Sequence, residues 1–209
     1  MIRHGQSEGN INHIFVGHQD SPLTELGKLQ AIKTADYICK NYSVDLLFAS
    51  DLCRAFETGQ ATAKACGIPI IAHPGLREIY AGDWENVSFD NLSIKYKNEY
   101  SIWKNDIGNA KCTNGESVQE LKDRVVCALI EICERHPGKT IAVATHATPI
   151  RVLMCQALAD GNLDRMKDIS WVSNASVTIV YYDSGKFSII QASLDGHLGN
   201  LKTTLPSNV

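Results

Sequence analysis

The sequence Thr140-Ile141-Ala142-Val143-Ala144-Thr145 is an almost unbroken apolar run, and His146 follows it directly. A run of this kind predicts a strand that is buried on both faces, because a half-exposed strand would alternate apolar and polar residues. Pro149 suits the first turn of a following helix that extends to about Ala159, since the N–H that proline lacks is not needed there. We therefore predict a strand–helix unit with a histidine at the carboxyl end of the strand.

Strands and helices alternate along the rest of the chain. Further strands are predicted at 44–49 and 69–72, and a hairpin is predicted from 176–182 and 187–191. Further helices are predicted to begin near Thr24, Ser50 and Ser117. This alternation predicts an α/β fold of three layers, α/β/α, in which a mostly parallel sheet carries an antiparallel edge strand from the hairpin.

Two of the predicted helices carry apolar residues at helical spacing. In the helix that Thr24 caps, these residues are Leu26, Leu29, Ile32, Ala35 and Ile38. In the helix that follows the capping box Ser117–Glu120, they are Leu121, Val125, Ala128, Leu129 and Ile132. We expect both apolar faces to pack against the sheet.

Length and composition indicate one ordered domain. A chain of 209 residues suits a single domain, 1–209, and a weakly helical, aromatic segment at 88–110 is predicted to be an insertion or lid. The chain is 44% hydrophobic and 21% charged, and no apolar run reaches the length of about 20 residues that a membrane helix needs. The net charge of −3 gives no basis for nucleic-acid binding. We expect no membrane partner, and oligomeric state stays open.

The seven cysteines are scattered and include no C-x-x-C pair. An odd number without a metal-binding spacing predicts free thiols that pack as small hydrophobic side chains. We therefore expect a reduced, cytoplasmic protein.

Basic and nucleophilic groups follow three of the predicted strands. Arg3 and His4 follow the first strand, Arg54 follows the strand that ends near Ala49, and His146 follows the strand at 140–145. In an open α/β sheet, ligands bind outside the carboxyl ends of the strands. Because arginine offers a fixed fork of donors to phosphate or carboxylate oxygens, this grouping predicts an anion held beside an imidazole.

Several short motifs occur in a fixed order along the chain. They are Arg3-His4-Gly5-Gln6-Ser7-Glu8-Gly9-Asn10, Leu23-Thr24-Glu25-Leu26-Gly27, Ser50-Asp51-Leu52-Cys53-Arg54-Ala55-Phe56-Glu57-Thr58, Leu76-Arg77-Glu78, Gly82-Asp83-Trp84-Glu85, Gly115-Glu116-Ser117 and Thr145-His146. The ordered series resembles the histidine phosphatase superfamily, which includes the phosphoglycerate mutases, over nearly the whole chain. Two departures are Ala147 and Asn86, at positions where that family commonly carries glycine.

The resemblance implies a phosphoglycerate mutase-like fold and assigns roles to six residues. His4 would be the nucleophile that accepts a phosphoryl group on one ring nitrogen, while a backbone carbonyl fixes the other. Glu78 would be the proton donor, which a neighbouring phosphate dianion pushes toward its neutral form. The phosphate pocket would consist of Arg3, Asn10, Arg54 and His146. The mechanism implies neither metal nor organic cofactor.

The phosphatase branch of the family is the best match. The chain is shorter than typical phosphoglycerate mutases, and its segment at 82–85 resembles the phosphatases. We therefore expect hydrolysis of a small phosphorylated metabolite, with inorganic phosphate as product. Two alternatives stay open, a cofactor-dependent phosphoglycerate mutase and a phosphate-binding module without turnover.

Overall fold

The computed structural model describes residues 1–204. In chain order, the strands are β1 (Ile2–Arg3), β2 (Ile14–Phe15), β3 (Leu46–Ala49), β4 (Ile70–Ala72), β5 (Val87–Ser88), β6 (Ile141–Thr145), β7 (Val177–Asp183) and β8 (Lys186–Leu194). The α-helices are α1 (Glu8–Ile11), α2 (Glu25–Asn41), α3 (Cys53–Cys66), α4 (Phe89–Lys95), α5 (Lys97–Asn105), α6 (Val118–Arg135) and α7 (Ala147–Leu158). Thr24 and Ser117 cap helices as predicted, and Gly67 ends α3 in a left-handed conformation.

A six-stranded sheet has the order β4-β3-β6-β1-β7-β8. The first four of these strands run parallel. In the hairpin, β7 runs antiparallel to β1, and the edge strand β8 runs antiparallel to β7 and so in the direction of the first four. The two-residue strand β1 lies between its neighbours because Ile2 pairs with Ala144 on one side and Val177 on the other. The three-layer α/β/α prediction with a mostly parallel sheet is confirmed, and β7 is the strand that runs against the other five.

Alternate residues of the parallel strands pack into different cores. Phe48 and Val143 face a large core that contains α6, α7 and the aromatic residues around Trp84. Leu47 and Ala144 face the opposite core, which contains α2 and α3. Both faces of the sheet are therefore covered, as the continuous apolar runs predicted.

The prediction that the apolar residues of α2 pack against the sheet is wrong in part. Leu29 and Ile32 are 51% and 53% exposed, whereas Gln30 and Thr34 are buried. The buried amide of Gln30 accepts from the backbone N–H of Gln6, and the hydroxyl of Thr34 donates to the carbonyl of Ala175. These polar side chains can face inward because they satisfy loop backbone groups, so the buried face is rotated from the apolar one. The prediction for α6 is confirmed, since its five apolar residues are buried.

The expectation of seven free thiols is wrong for one pair. Cys39 and Cys66 form a disulfide, with their Cα atoms 5.6 Å apart. The two residues lie near the carboxyl ends of α2 and α3, which pack side by side, and a separation of 27 residues gives no sequence signal for such a pairing. Cysteine content therefore no longer supports a cytoplasmic location, which stays a prediction. Cys112 and Cys155 are free and buried, as expected.

The segment predicted as an insertion folds as α4 and α5. Tyr100 and Trp103 are buried, and Trp84 contacts both rings edge-on within an aromatic cluster. None of the helices in residues 1–204 combines the length and apolar character needed to cross a bilayer.

Candidate functional site

A cavity of about 90 Å³ opens where the parallel strands end. Of the six residues predicted for the site, five line it: Arg3, His4, Asn10, Arg54 and Glu78. Three of these come from different places in the chain, the end of β1, the first turn of α3 and the loop after the short helical turn at 74–76. The tertiary structure therefore brings the predicted groups together. A larger cavity of about 710 Å³ lies elsewhere, beside the amino end of β6.

The backbone around His4 is fixed on both sides. Its N–H donates to the carbonyl of Thr145, and its own carbonyl accepts from the N–H of Ala175. Close packing next to it needs glycine, because a Cβ on Gly5 would lie 2.4 Å from the carbonyl oxygen of Gly27. The Arg-His-Gly motif thus packs directly against the Leu-Gly turn that opens α2.

The imidazole of His4 is held in one tautomer. Its Nδ1 lies 2.7 Å from the carbonyl oxygen of Gly5, so Nδ1 carries the proton and Nε2 is the free base. The side chain is only 4% exposed. Burial, followed by the charges of Arg54 and Arg3, lowers the pKa of His4 well below its usual value. The ring is therefore neutral at physiological pH and presents a nitrogen lone pair.

Two buried guanidinium groups face the same cavity. Arg54 is 2% exposed, and it donates to the carbonyls of Gly17 and Gln19 at 2.8 and 3.0 Å. Arg3 donates from Nη1 to the carbonyl of Val172, and within residues 1–204 its buried Nε has no partner. Burial lowers the pKa of Arg3 to about 10, with Glu78 acting in the opposite sense. Both guanidinium groups are charged at neutral pH, so the site favours an anion.

Asn10 is positioned by its side-chain oxygen. Oδ1 accepts from the N–H and hydroxyl of Ser7 and from Nδ2 of Asn174, at 3.0, 3.2 and 3.1 Å. Asn174 also donates to the carbonyl of His4. The amide nitrogen of Asn10 is thereby left as a further donor toward the cavity, and Asn174 ties Asn10 to the backbone of His4.

The carboxylate of Glu78 is held by backbone groups. One oxygen accepts from the N–H of Ile79 at 2.9 Å, and the other lies 3.4 Å from the N–H of Thr148 in the first turn of α7. Thr148 also lines the cavity. Glu78 therefore lies at the amino terminus of α7, the helix that begins just after β6.

Arg124 holds the loop that carries Glu78, although no motif identified it. Its guanidinium donates to the carbonyls of Gly75, Arg77 and Glu78, each at 3.1 Å, and pairs with Glu116 through two hydrogen bonds at 2.8 and 2.9 Å. A half-buried arginine that satisfies three carbonyls of one loop fixes the backbone more firmly than a surface ion pair does. The motif Gly115-Glu116-Ser117 thus serves the site indirectly.

His18 is a further missed contact. A ring nitrogen lies 2.8 Å from the carbonyl oxygen of Glu78, and its backbone N–H donates to Glu85. His18 lies outside the motifs, and only the folded loops bring it to Glu78.

His146 lies behind the cavity wall. Its ring centroid is 5.2 Å from that of His4, and its Nε2 lies 2.8 Å from the hydroxyl oxygen of Ser50. The residue is fully buried, and within residues 1–204 its Nδ1 has no partner. Burial, then Arg54 and His4, lowers the pKa of His146 well below its usual value. The ring is therefore neutral in this state, and its contact with phosphate stays a prediction.

The two residues that depart from the family pattern, Asn86 and Ala147, are both accommodated in the structure. Asn86 has a φ of 62°, a left-handed conformation that asparagine adopts more readily than most residues. Ala147 lines the cavity, so its methyl group forms part of the wall. In residues 1–204, no group of three or more His, Cys, Asp or Glu side chains is arranged to hold a metal ion.

The buried histidines make stability depend on pH. In the unfolded chain an imidazole binds a proton below about pH 6.5, whereas His4 and His146 resist protonation in the native state. The unfolded state then holds more protons, so the free energy of unfolding falls as pH drops below 6.5. We expect each histidine to contribute up to about 1.4 kcal/mol per pH unit in that range.

Denaturant unfolding between pH 5 and 7.5 measures this slope. His146→Gln should reduce it, whereas the same change at exposed His13 should leave it as in the wild type. An equal slope for wild type and His146→Gln would contradict the assignment.

The fold and the cavity together define an α/β protein with two buried guanidinium groups beside a neutral imidazole. Residues 1–194 match the family model described as "Histidine phosphatase superfamily (branch 1)", and the chain belongs to the histidine phosphatase superfamily. The resemblance stated from the motifs is thereby confirmed.

Individual relatives agree with this placement. The chain is 30% identical to "Phosphoglycerate mutase-like protein 4" of Arabidopsis thaliana over 192 residues. This match covers 90% of this chain and 81% of that protein. It is 31% identical over 158 residues to "Adenosylcobalamin/alpha-ribazole phosphatase" of Escherichia coli K12, covering 76% of this chain and 77% of that protein. Among solved structures, "Bacillus stearothermophilus YhfR" is similar with a TM-score of 0.88 at 28% identity, covering 94% and 96% of the two chains.

Proposed function

We propose that this protein hydrolyses the phosphomonoester of a small phosphorylated metabolite through a phosphohistidine on His4. The observation that carries the proposal is the tautomer of His4. With Nδ1–H bonded to the carbonyl of Gly5, the neutral ring presents Nε2 as a nucleophile inside a cavity that contains two buried guanidinium groups.

The reaction would take two steps. In the first, Nε2 of His4 bonds to phosphorus, the bond to the ester oxygen breaks, and Glu78 gives its proton to the leaving alcohol. In the second, water attacks phosphorus, the P–N bond breaks, and Glu78 recovers a proton from the water. Inorganic phosphate leaves, and His4 is again neutral.

Fixed donors would stabilise both transition states, which carry negative charge on the equatorial oxygens of the transferred group. The unpartnered Nε of Arg3, the guanidinium of Arg54 and the amide of Asn10 supply such donors. In a buried site each donor contributes about 2.7–4 kcal/mol. A bound dianion would also favour the protonated form of His146, which could then donate.

Residues 1–209 would form one domain, in which 88–110 act as a lid. Phe89 and Trp103 support that role, because one from each lid helix lines the cavity beside the catalytic groups. Excluding water from the side of the lid would strengthen every charge interaction at the transferring group.

The test is release of inorganic phosphate from 4-nitrophenyl phosphate and from a panel of phosphorylated metabolites. We expect hydrolysis and a phosphoenzyme that is stable to base and labile to acid. Interconversion of 2- and 3-phosphoglycerate upon addition of the bisphosphorylated primer, without comparable hydrolysis, would identify a mutase instead. Phosphate binding without any turnover would identify a binding module.

A further inference from the structure

Besides the polar residues Ser7, Asn10 and Thr148, the cavity wall has a charged part and an apolar part. Its charged residues, within residues 1–204, are Arg3, Arg54 and Glu78, together with the imidazole of His4. The apolar lining residues are Ile14, Phe15, Val16, Phe89, Trp103, Ala147 and Trp171. The charged groups surround the nucleophile, so the apolar residues are left for the rest of the substrate.

The guanidinium groups of Arg3 and Arg54 are both held beside the nucleophile. Arg54 is fixed by two loop carbonyls, and Arg3 by the carbonyl of Val172, so both hold their positions at the transferring phosphate. A second anionic group on the substrate, such as a carboxylate, would then lie against the apolar wall. Removing it from water without a partner would weaken binding.

Trp171 is an apolar group of this wall that a fixed cation holds from one side. The guanidinium of Arg151 lies 3.9 Å from the centre of its ring, and that guanidinium is itself fixed by the carbonyls of Met166 and Ile169. Next to it, the carbonyl of Val172 accepts from Arg3. The indole is therefore held in place before any ligand binds, which lowers the entropic cost of stacking on it.

The residues nearest to solvent on this wall are Ile14, Phe89 and Trp171, which are half-buried, whereas His4 and both arginines are buried. Phe89 is anchored by its N–H to the carbonyl of His13 and contacts Phe15 edge-on. A substrate whose phosphate lies on His4 would thus extend its leaving group between an indole and a phenyl ring.

From this arrangement, and resting on the proposed function, we infer that the leaving group is uncharged and presents a flat apolar face. An aromatic or heteroaromatic alcohol fits this description. Esters that carry a carboxylate close to the phosphate, such as 3-phosphoglycerate and O-phosphoserine, fit poorly. Trp171 would be a specificity-determining residue because its ring stacks on the leaving group.

Alkyl phosphates with similar leaving oxygens test this inference, because intrinsic reactivity then varies little among them. We expect kcat/KM for benzyl phosphate to exceed that for O-phosphoserine and 3-phosphoglycerate by at least about tenfold, with ethyl phosphate as the small uncharged reference. Trp171→Ala should lower the ratio of benzyl to ethyl phosphate about tenfold, and Trp171→Phe should largely preserve it. Tyr181→Ala, an exposed aromatic on β7, is the matched control and should not change the ratio.

Failure of the inference and failure of the proposed function give different results. Hydrolysis with O-phosphoserine or 3-phosphoglycerate preferred would overturn the inference and leave the phosphatase proposal intact. A ratio unchanged in Trp171→Ala would remove the role of that residue. If no ester is hydrolysed, calorimetry can still test the inference by comparing the affinities of benzylphosphonate and 2-amino-3-phosphonopropionate. Equal affinities, or tighter binding of the amino acid, would contradict an apolar leaving-group site.

Discussion

His4→Ala is expected to lower kcat/KM for phosphate esters by a factor of about 10⁴ or more, because it removes the imidazole that would take the phosphoryl group. The cavity offers a single imidazole along its lining within residues 1–204, and its Nε2 is the free base. Steady-state hydrolysis measures the loss, and mass spectrometry of acid-free, quenched turnover locates the phosphoryl group in the wild type.

His13→Ala provides the control for this experiment. His13 is exposed, lies nine residues further along the chain and does not line the cavity. It should retain wild-type activity. Label on any residue other than His4, or full activity of His4→Ala, would refute covalent catalysis by this imidazole.

Glu78→Gln is expected to lower kcat for alkyl phosphates by a factor of about 10²–10⁴, the usual contribution of general acid catalysis. Glutamine keeps the shape, and its one amide oxygen can still accept from the N–H of Ile79, but it has no proton to give at neutral pH. 4-Nitrophenyl phosphate should lose much less in the first step, because its leaving group departs as a stable anion. The phosphoenzyme should then accumulate, since the activation of water also depends on Glu78.

Rapid-quench kinetics with the two kinds of substrate test this expectation. Glu25→Gln, an exposed change in the first turn of α2, is the matched control and should leave both rates unchanged. Equal losses for alkyl and aryl esters, without accumulation of phosphoenzyme, would show that Glu78 acts on the structure of the loop and not on the proton.

Much of the fold followed from local patterns. The apolar run at 140–145 predicted the central parallel strand, and the capping box at Ser117 predicted the start of α6, because burial and capping leave a signature within a few residues. Local patterns did not predict which face of α2 is buried. Gln30 and Thr34 are buried only because loops distant in sequence supply their partners.

The disulfide was missed for a similar reason. Cys39 and Cys66 meet because α2 and α3 pack side by side, and their spacing along the chain carries no information about that packing. The sequence also did not show that Arg124 and His18 support Glu78. Each of them contacts a backbone carbonyl, which any residue could supply.

By itself, the sequence determined the layered α/β fold, the family and five of the residues that line the cavity. It could do so because strand burial, helix caps and the ordered motifs are all local properties of the chain. Only the tertiary structure decided which face of α2 is buried, that His146 lies behind the wall, and that Trp171 completes it. Those outcomes depend on contacts between residues far apart in the chain, whose partners no local pattern specifies.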